Sequence, residues 1–437
     1  MIMIRKYINN IKQSPIFNGF LITTIGSGLS KIILVATTFY CTNMLSKAEF
    51  GGFSFIRNTL NTILVICALN YVGLCVKFTA EAKYHQQASK RLILLFGFSL
   101  ALCVVAGIAL LVLPDSAMLS ILGDQSLIRY FRILGLLLPV FMLQPLLEGV
   151  FNGLKKFKMI GVIQVSTSLA FFAFVAGGIY LDGYEGAVFG MLSYYLLYAL
   201  VCFIVAIKLT DVRKFISRNL KGCMKELPVI WTMILPVFFL SFVEAPINWW
   251  AQSLMTKHDS LTSIASMTAI VQIRNLTILL PNYLGSAFAA FASSLNAQRD
   301  YKNYFEKNDK IIIGLFLLSA LFFTLYTLFD SRILGLYGGA YKSDTFPFLL
   351  SNLIIPFLIV GNFLKINLTI MEHQRIMLMI SITYSAVFIG IVYTMLQMNY
   401  NSVIAYFCGQ IGQYVFSFSA CMYVYIKDKR NKLGKLL

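Results

Sequence analysis

Long apolar runs follow one another along this chain, separated by short polar ones. A membrane-spanning helix needs about 20 mostly apolar residues. Stretches of that kind lie at 15–41, 50–76, 92–113, 128–152, 159–181, 186–209, 228–255, 263–295, 311–330, 346–370, 376–396 and 402–426. None has the in–out alternation of a barrel strand. The pattern therefore predicts an all-α integral membrane protein, a bundle of about 12 transmembrane helices. The first run is too long for a cleaved signal peptide and lacks a small-residue cleavage site, so it reads as a retained span.

Composition agrees. Of 437 residues, 58% are hydrophobic and 12% are charged. A soluble domain usually carries about 25% charged residues. Mean hydropathy is +0.77. Disorder, a secreted disulfide scaffold and a nucleic-acid-binding domain are excluded as the main identity. The net charge of +18 would suggest nucleic acid in a soluble chain. In a membrane protein, Lys and Arg collect in the cytoplasmic loops. With the N-terminus placed inside, 25 basic residues fall on the inner side and 4 on the outer. Both termini are thus expected in the cytoplasm. The eight cysteines form no C-x-x-C, and most fall in apolar runs as small hydrophobes. They suggest neither a metal site nor a disulfide framework.

The longest cytoplasmic loop, 210–227, lies at the middle of the chain. It is expected to link an N-terminal six-helix lobe, 1–209, to a C-terminal one, 228–426, with a basic cytoplasmic tail at 427–437. An internal repeat points the same way. Ile56-Arg57-Asn58 recurs as Ile273-Arg274-Asn275, an offset of 217, and Pro139 matches Pro356 at the same offset. That offset also sets Glu148 opposite Lys365. Each half has an even number of spans, so the repeats would be parallel. Gly149 with Gly153, and Gly186 with Gly190, form G-x-x-x-G motifs for close helix packing. Gly26-Ser27-Gly28 follows no strand and reads as close packing too, not as a nucleotide loop.

Charges inside spans cost about 2.5–3.5 kcal/mol each on insertion scales, and usually face a cavity or a partner. Lys31 and Arg274 lie near the middle of their spans. Arg57 and Lys365 lie nearer the ends, where a long side chain can snorkel to the interface. These four are the candidates for a cationic, substrate-binding cavity, with a structural ion pair as the competing reading. Lys77, Arg129 and Arg132 sit at span ends and read as snorkelling. Two acids lie well inside spans, Glu148 and Glu244, the latter followed by Ala245-Pro246. Either is a proton or sodium site, or the partner of a buried base. The three histidines fall in loops, which argues against a histidine proton relay. Four bases against two acids suit an anionic ligand. Arginine grips phosphate bidentately and lysine offers a point charge. Trp249-Trp250 suit sugar stacking or an interfacial aromatic belt. No H-E-x-x-H, G-x-S-x-G or Walker A motif is present, so no enzyme is expected. No cofactor or metal is expected either, beyond a coupling H+ or Na+.

Several short motifs carry a family resemblance. Asn18-Gly19 opens the first span. The first outer loop reads Leu45-Ser46-Lys47-Ala48-Glu49-Phe50-Gly51, with Ser46 where the family usually has glycine. Span 4 leaves through Glu148-Gly149-Val150-Phe151-Asn152-Gly153-Leu154-Lys155-Lys156-Phe157, and span 6 begins at Tyr184-Glu185-Gly186-Ala187. The chain resembles the O-antigen type of polysaccharide repeat-unit flippase, in the multidrug/oligosaccharidyl-lipid/polysaccharide exporter superfamily. The likeness is clearest over 15–205. It weakens at span 12, where Asn401-Ser402-Val403-Ile404 replaces a glycine-rich start.

The resemblance implies two lobes around a cavity that opens alternately to each side of a bacterial inner membrane. It implies an undecaprenyl-pyrophosphate-linked oligosaccharide as cargo, for O-antigen, lipopolysaccharide or another surface polysaccharide. Lys31, Arg57, Arg274 and Lys365 would then hold the pyrophosphate or acidic sugars. Glu148 and Glu244 would modulate that grip. Pro139, Pro236, Pro246 and Pro356 would let helices bend or hold static kinks. A polysaccharide polymerase and a chain-length regulator are candidate partners. The rival readings are a drug/cation antiporter, which wants an acid-rich cavity, and a peptidoglycan-precursor flippase. The short outer loops argue against a membrane glycosyltransferase or polymerase.

Overall fold

The computed structural model describes residues 15–82, 84–209, 215, 218–220 and 222–434, with side chains from residue 25 onward apart from 240–242, 244, 280, 282–287, 289–291, 294 and 297. Every predicted apolar run falls on helix, and no strand occurs among the described residues. The described residues divide into two compact units, one up to Trp249 and one from Trp250.

The first unit begins with α1 (Pro15–Met44) and α2 (Lys47–Cys67). Ser46 caps α2. Its hydroxyl accepts from the Glu49 N–H (3.3 Å), and the Glu49 carboxylate accepts from the Ser46 N–H (2.8 Å). This is a capping box: two otherwise unpaired donors are satisfied reciprocally. Ser46, which stands where the resemblance leads one to expect glycine, thus serves as a helix cap. The apolar run that begins with α2 is broken at Ala68 (φ −146°) and resumes as α3 (Val72–Glu81). The Ser99 hydroxyl donates to the Cys67 carbonyl at the break. Ser99 belongs to α4 (Gln86–Val112).

A short helix, α5 (Asp115–Leu122), precedes α6 (Ile128–Phe141) and α7 (Leu143–Gly153). Pro139 lies at the end of α6 and has no N–H to offer the Gly135 carbonyl. That carbonyl points at Gly107 of α4, where any side chain would collide with it. α7 carries Gly149 and Gly153 against α3. A Cβ on either would lie 2.6 Å from the Cβ of Cys75 or Thr79, and within about 3 Å of a backbone oxygen.

α8 runs from Phe157 to Leu209, but Asp182 and Gly183 (φ 55°, ψ −127°) leave helical geometry. It is a helical hairpin with two arms. Gly186 on the second arm abuts the Gly178 carbonyl on the first, and Gly190 abuts Phe174. Between α2 and the start of the second arm of α8, a Cβ at Gly52 would lie 2.6 Å from the Tyr184 hydroxyl. Gly26, Gly149, Gly153, Gly186 and Gly190, read from sequence as packing positions, are places where backbones or bulky groups come close; Gly28 is not, since nothing lies within 4 Å of it.

A π-helical turn, Ile230–Ile234, leads into α9 (Leu235–Asp259), whose second residue is Pro236. Pro236 has no N–H to offer the Thr232 carbonyl inside that turn. The second unit contains α10 (Leu261–Ala297), α11 (Tyr301–Leu328), the one-turn α12 (Asp330–Gly335), α13 (Thr345–Ile370), α14 (Gln374–Gln397) and α15 (Ser402–Leu433). α13 is central: it packs on α10, α11 and α15, and α14 packs on α15. Tyr304, Phe305, Ile359, Phe363, Tyr384 and Tyr425 form part of one buried cluster there.

Eight helices among the described residues are long and apolar enough to cross a membrane. The expected number was twelve. α8 enters as one helix although it has two arms. α9 and α10 include side chains outside the described set. α15 is more polar, with Gln410 and Gln413 inside its apolar run.

Candidate functional site

In the first unit, Lys31 stands on α1 with its side chain exposed. Arg57 on α2 is half-buried, within electrostatic reach of Cys41 on α1 and Tyr195 on the second arm of α8. Glu148 on α7 is half-buried at a meeting of α1, α7 and both arms of α8. Gln144 Nε2 donates to its Oε1 (3.1 Å) and Gln164 Nε2 to its Oε2 (3.4 Å). The Tyr198 hydroxyl on the second arm of α8 lies within electrostatic reach of the carboxylate. Gln164 in turn accepts from the Ser27 hydroxyl (2.7 Å). One turn along each helix, Ser30 bonds Ser168. Among the described residues, no Lys or Arg lies within ion-pair distance of Glu148. Sequence reading missed Gln144, Gln164, Tyr198 and Ser27. Uncharged polar residues inside apolar runs were the available signal.

Trp249 donates its indole N–H to the Thr59 hydroxyl (2.8 Å) and stacks on Phe55 (6.4 Å, 14°). One ring face and the N–H are thus taken within the unit. Trp250 is half-buried. Glu244 lies in α9, but its side chain falls outside the described residues.

In the second unit, Arg274 on α10 is only 5% exposed. Its Nη1 donates to Gln410 Oε1 (2.7 Å) and to the Ser351 hydroxyl (3.4 Å). Gln410 is held by donating its amide to the Tyr406 hydroxyl (2.9 Å). The guanidinium lies 6.0 Å from the Phe407 ring centre, and its Nε finds no partner among the described residues. No carboxylate is within ion-pair distance among the described residues. Lys365 on α13 is half-buried, with Nζ 4.8 Å above the Tyr384 ring of α14. A cation over an aromatic face is stabilised without a counter-charge. The repeat positions Glu148 and Lys365 therefore behave alike. Each sits on the fourth helical rod of its half and is held by neutral groups on the fifth, Gln164 and Tyr384. Among the described residues, no group of three or more His, Cys, Asp or Glu could hold a metal ion.

These units, all helix, with isolated charges set among apolar spans, share their fold with transporters of the MOP superfamily. An inward-facing multidrug-resistance transporter of the MATE family aligns over 91% of this chain and 94% of its own (TM-score 0.75, 15% identity). A MOP-superfamily transporter from Pyrococcus furiosus, described as having a binding pocket of reverse polarity, aligns over 96% and 97% (TM-score 0.61, 14% identity). An outward-facing MATE transporter aligns over 94% and 95% (TM-score 0.60, 14% identity). At these identities the likeness establishes the fold alone. No curated protein matches the sequence. Residues 16–244, just over half of the chain, match the family described as polysaccharide biosynthesis protein. The chain belongs to that family, a multi-pass membrane protein with a transporter fold.

Proposed function

We propose that the protein is a flippase for polyprenyl-pyrophosphate-linked oligosaccharide repeat units. It moves them from the inner to the outer leaflet of a bacterial inner membrane by alternating access. The observation that carries this reading is Arg274. A guanidinium in an apolar helix, 5% exposed and held only by neutral groups, is costly to bury. Arg57 and Lys365 are likewise without a carboxylate partner among the described residues. Such cations are matched to an anion supplied from outside, and a pyrophosphate-linked glycan in a polysaccharide pathway is that anion. The Pyrococcus furiosus transporter supports the reading by analogy: within this fold, a pocket of reverse polarity has been taken to mean a different function.

A deletion strain tests it. Lipid-linked oligosaccharide should accumulate on the cytoplasmic face. The wild-type gene should relieve this, and Arg274→Ala at equal membrane abundance should not. Normal lipid levels and normal crossing in the deletion strain would refute the cargo. Drug hypersensitivity in that same strain would instead favour the antiporter.

A further inference from the structure

Arg57 and Arg274 hold the same place in the repeat, yet their surroundings differ. Arg274 is enclosed and fastened to Gln410 and Ser351. Arg57 is half-buried, with no carboxylate within ion-pair distance among the described residues. It belongs to a polar stretch of α2. Six of the nine residues at 54–62 are polar, inside an otherwise apolar run. Thr59 is buried and takes the Trp249 N–H. Arg57, Asn58 and Thr62 are half-buried, and Asn61 is exposed. At about 100° per residue these four lie on one side of the helix. At the repeat positions of Asn61 and Thr62 the second unit has Ile278 and Leu279. The fold therefore does not need polar residues there. A charged, accessible face on a spanning helix turns to water or a polar ligand, because lipid tails leave it unsatisfied.

Arg57 and Asn61 offer that face one kind of chemistry. The Tyr195 hydroxyl, on the second arm of α8, donates to Asn61 Oδ1 (3.3 Å). This occupies the acceptor end of the amide, fixes which way it points and leaves Nδ2 to donate outward. The Arg57 guanidinium is donor-only. Side chains four residues apart on a helix are neighbours, about 5–6 Å between their Cβ atoms. The two residues thus set a cationic and a neutral donor side by side. A ligand rich in acceptor oxygens and bearing negative charge matches both, and phosphate is such a group.

We propose that Arg57 and Asn61 together bind one phosphate group, and that Tyr195 positions the Asn61 amide. The inference rests on the reading of the cargo as a pyrophosphate-linked lipid. It names the phosphate contact that stands open in this structure, where Arg274 is enclosed. The ester of a pyrophosphate and the head group of an anionic phospholipid present the same oxygens, and the test separates them.

The full chain in phosphatidylcholine nanodiscs is titrated with inorganic pyrophosphate and followed by calorimetry. Saturable binding is expected. Asn61→Leu, at an exposed position, should weaken it about tenfold, the worth of one hydrogen bond to a charged group. Asn61→Asp keeps the shape but puts a carboxylate in place of the donor, and should abolish it. Tyr195→Phe should weaken binding about threefold in the wild-type background and change nothing beside Asn61→Leu. A merely structural tyrosine would act equally in both backgrounds. Absence of binding, or binding equal to wild type in both Asn61 variants, overturns the site. Undiminished binding after phosphatidylglycerol is added to the nanodiscs supports the pyrophosphate as occupant; loss of binding overturns it in favour of bilayer lipid. Failure here while the deletion strain still accumulates lipid-linked glycan removes only the α2 site. Binding that depends on Asn61, with normal lipids in that strain, removes the cargo reading instead.

Discussion

Replacing Gly26 by alanine should loosen the first unit, whereas the same change two residues on, at Gly28, should not. A Cβ on Gly26 would lie 2.8 Å from the Gly161 Cα, 3.1 Å from its oxygen and 3.3 Å from its carbonyl carbon. All three are backbone atoms of α8 and cannot turn aside. Carbon atoms pack best about 3.5–4.0 Å apart, so α1 must retreat from α8 by most of an ångström. Overpacking of that kind costs about 1–3 kcal/mol. Gly28 would meet nothing within 4 Å. Both substitutions gain the same helix propensity, ~1 kcal/mol, so their difference isolates the collision. At ~2–4 °C per kcal/mol for a unit of this size, the two variants should melt ~2–12 °C apart. Detergent-solubilised protein, heated and followed by size-exclusion chromatography, measures this. The Ser27–Gln164 bond joins the same pair of helices at 2.7 Å, so the retreat also strains the Glu148 cluster. Equal melting of the two variants, or a higher melting point for Gly26→Ala, would refute the reasoning.

Glu148→Leu leaves two amide donors without their acceptor, and should lower stability by about 1–3 kcal/mol. Glu148→Gln keeps an acceptor oxygen and should lose less; matching thermal melts for the two would count against the cluster. Trp249→Phe keeps the stack on Phe55 but loses the bond to Thr59, a cost of ~1 kcal/mol that a Thr59→Val background should remove in a double-mutant cycle. Asp259, at the loop between α9 and α10, titrates below its ordinary 3.8. Desolvation pushes it up, but the Ser402 N–H at 2.6 Å and His258 outweigh that. A depressed acid contributes stability above its unfolded pKa and loses it as pH falls through the folded value. Asp259→Asn should therefore destabilise at pH 7 and make little difference well below pH 3.8, as melts across that range would show.

The helices were legible because an apolar run must be helical in lipid. Their interruptions were not. The run at 50–76 carries no proline, and its Gly73 lies within a helix, yet the helix breaks at Ala68, where the Cys67 carbonyl is taken by Ser99 on another helix. Such a bond is set by tertiary contact and leaves no local pattern. The charged side chains were legible by depth, because a buried charge stands out in an apolar run. Their neutral holders, Gln144, Gln164, Gln410 and Tyr384, were not, since an isolated amide or phenol in a span looks like noise until its partner is seen. Ser46 and Asn401 were noted as departures from the family pattern, and each proves to be a helix cap. The asparagine holds the Val403 and Ile404 N–H groups at 3.0 and 3.3 Å.

The hairpin in α8 bears on how the chain is made. Only Asp182 and Gly183 leave helical geometry between its arms, and the Gly178–Gly186 contact lies immediately beside that turn. There is no slack for one arm to settle in the bilayer while its mate waits in water. The two arms would enter the membrane as a pair, already packed, during biosynthesis. Lengthening the turn with a glycine-serine insert should separate the pairing step from insertion. Protease protection on nascent chains would show whether the second arm then lags behind the first.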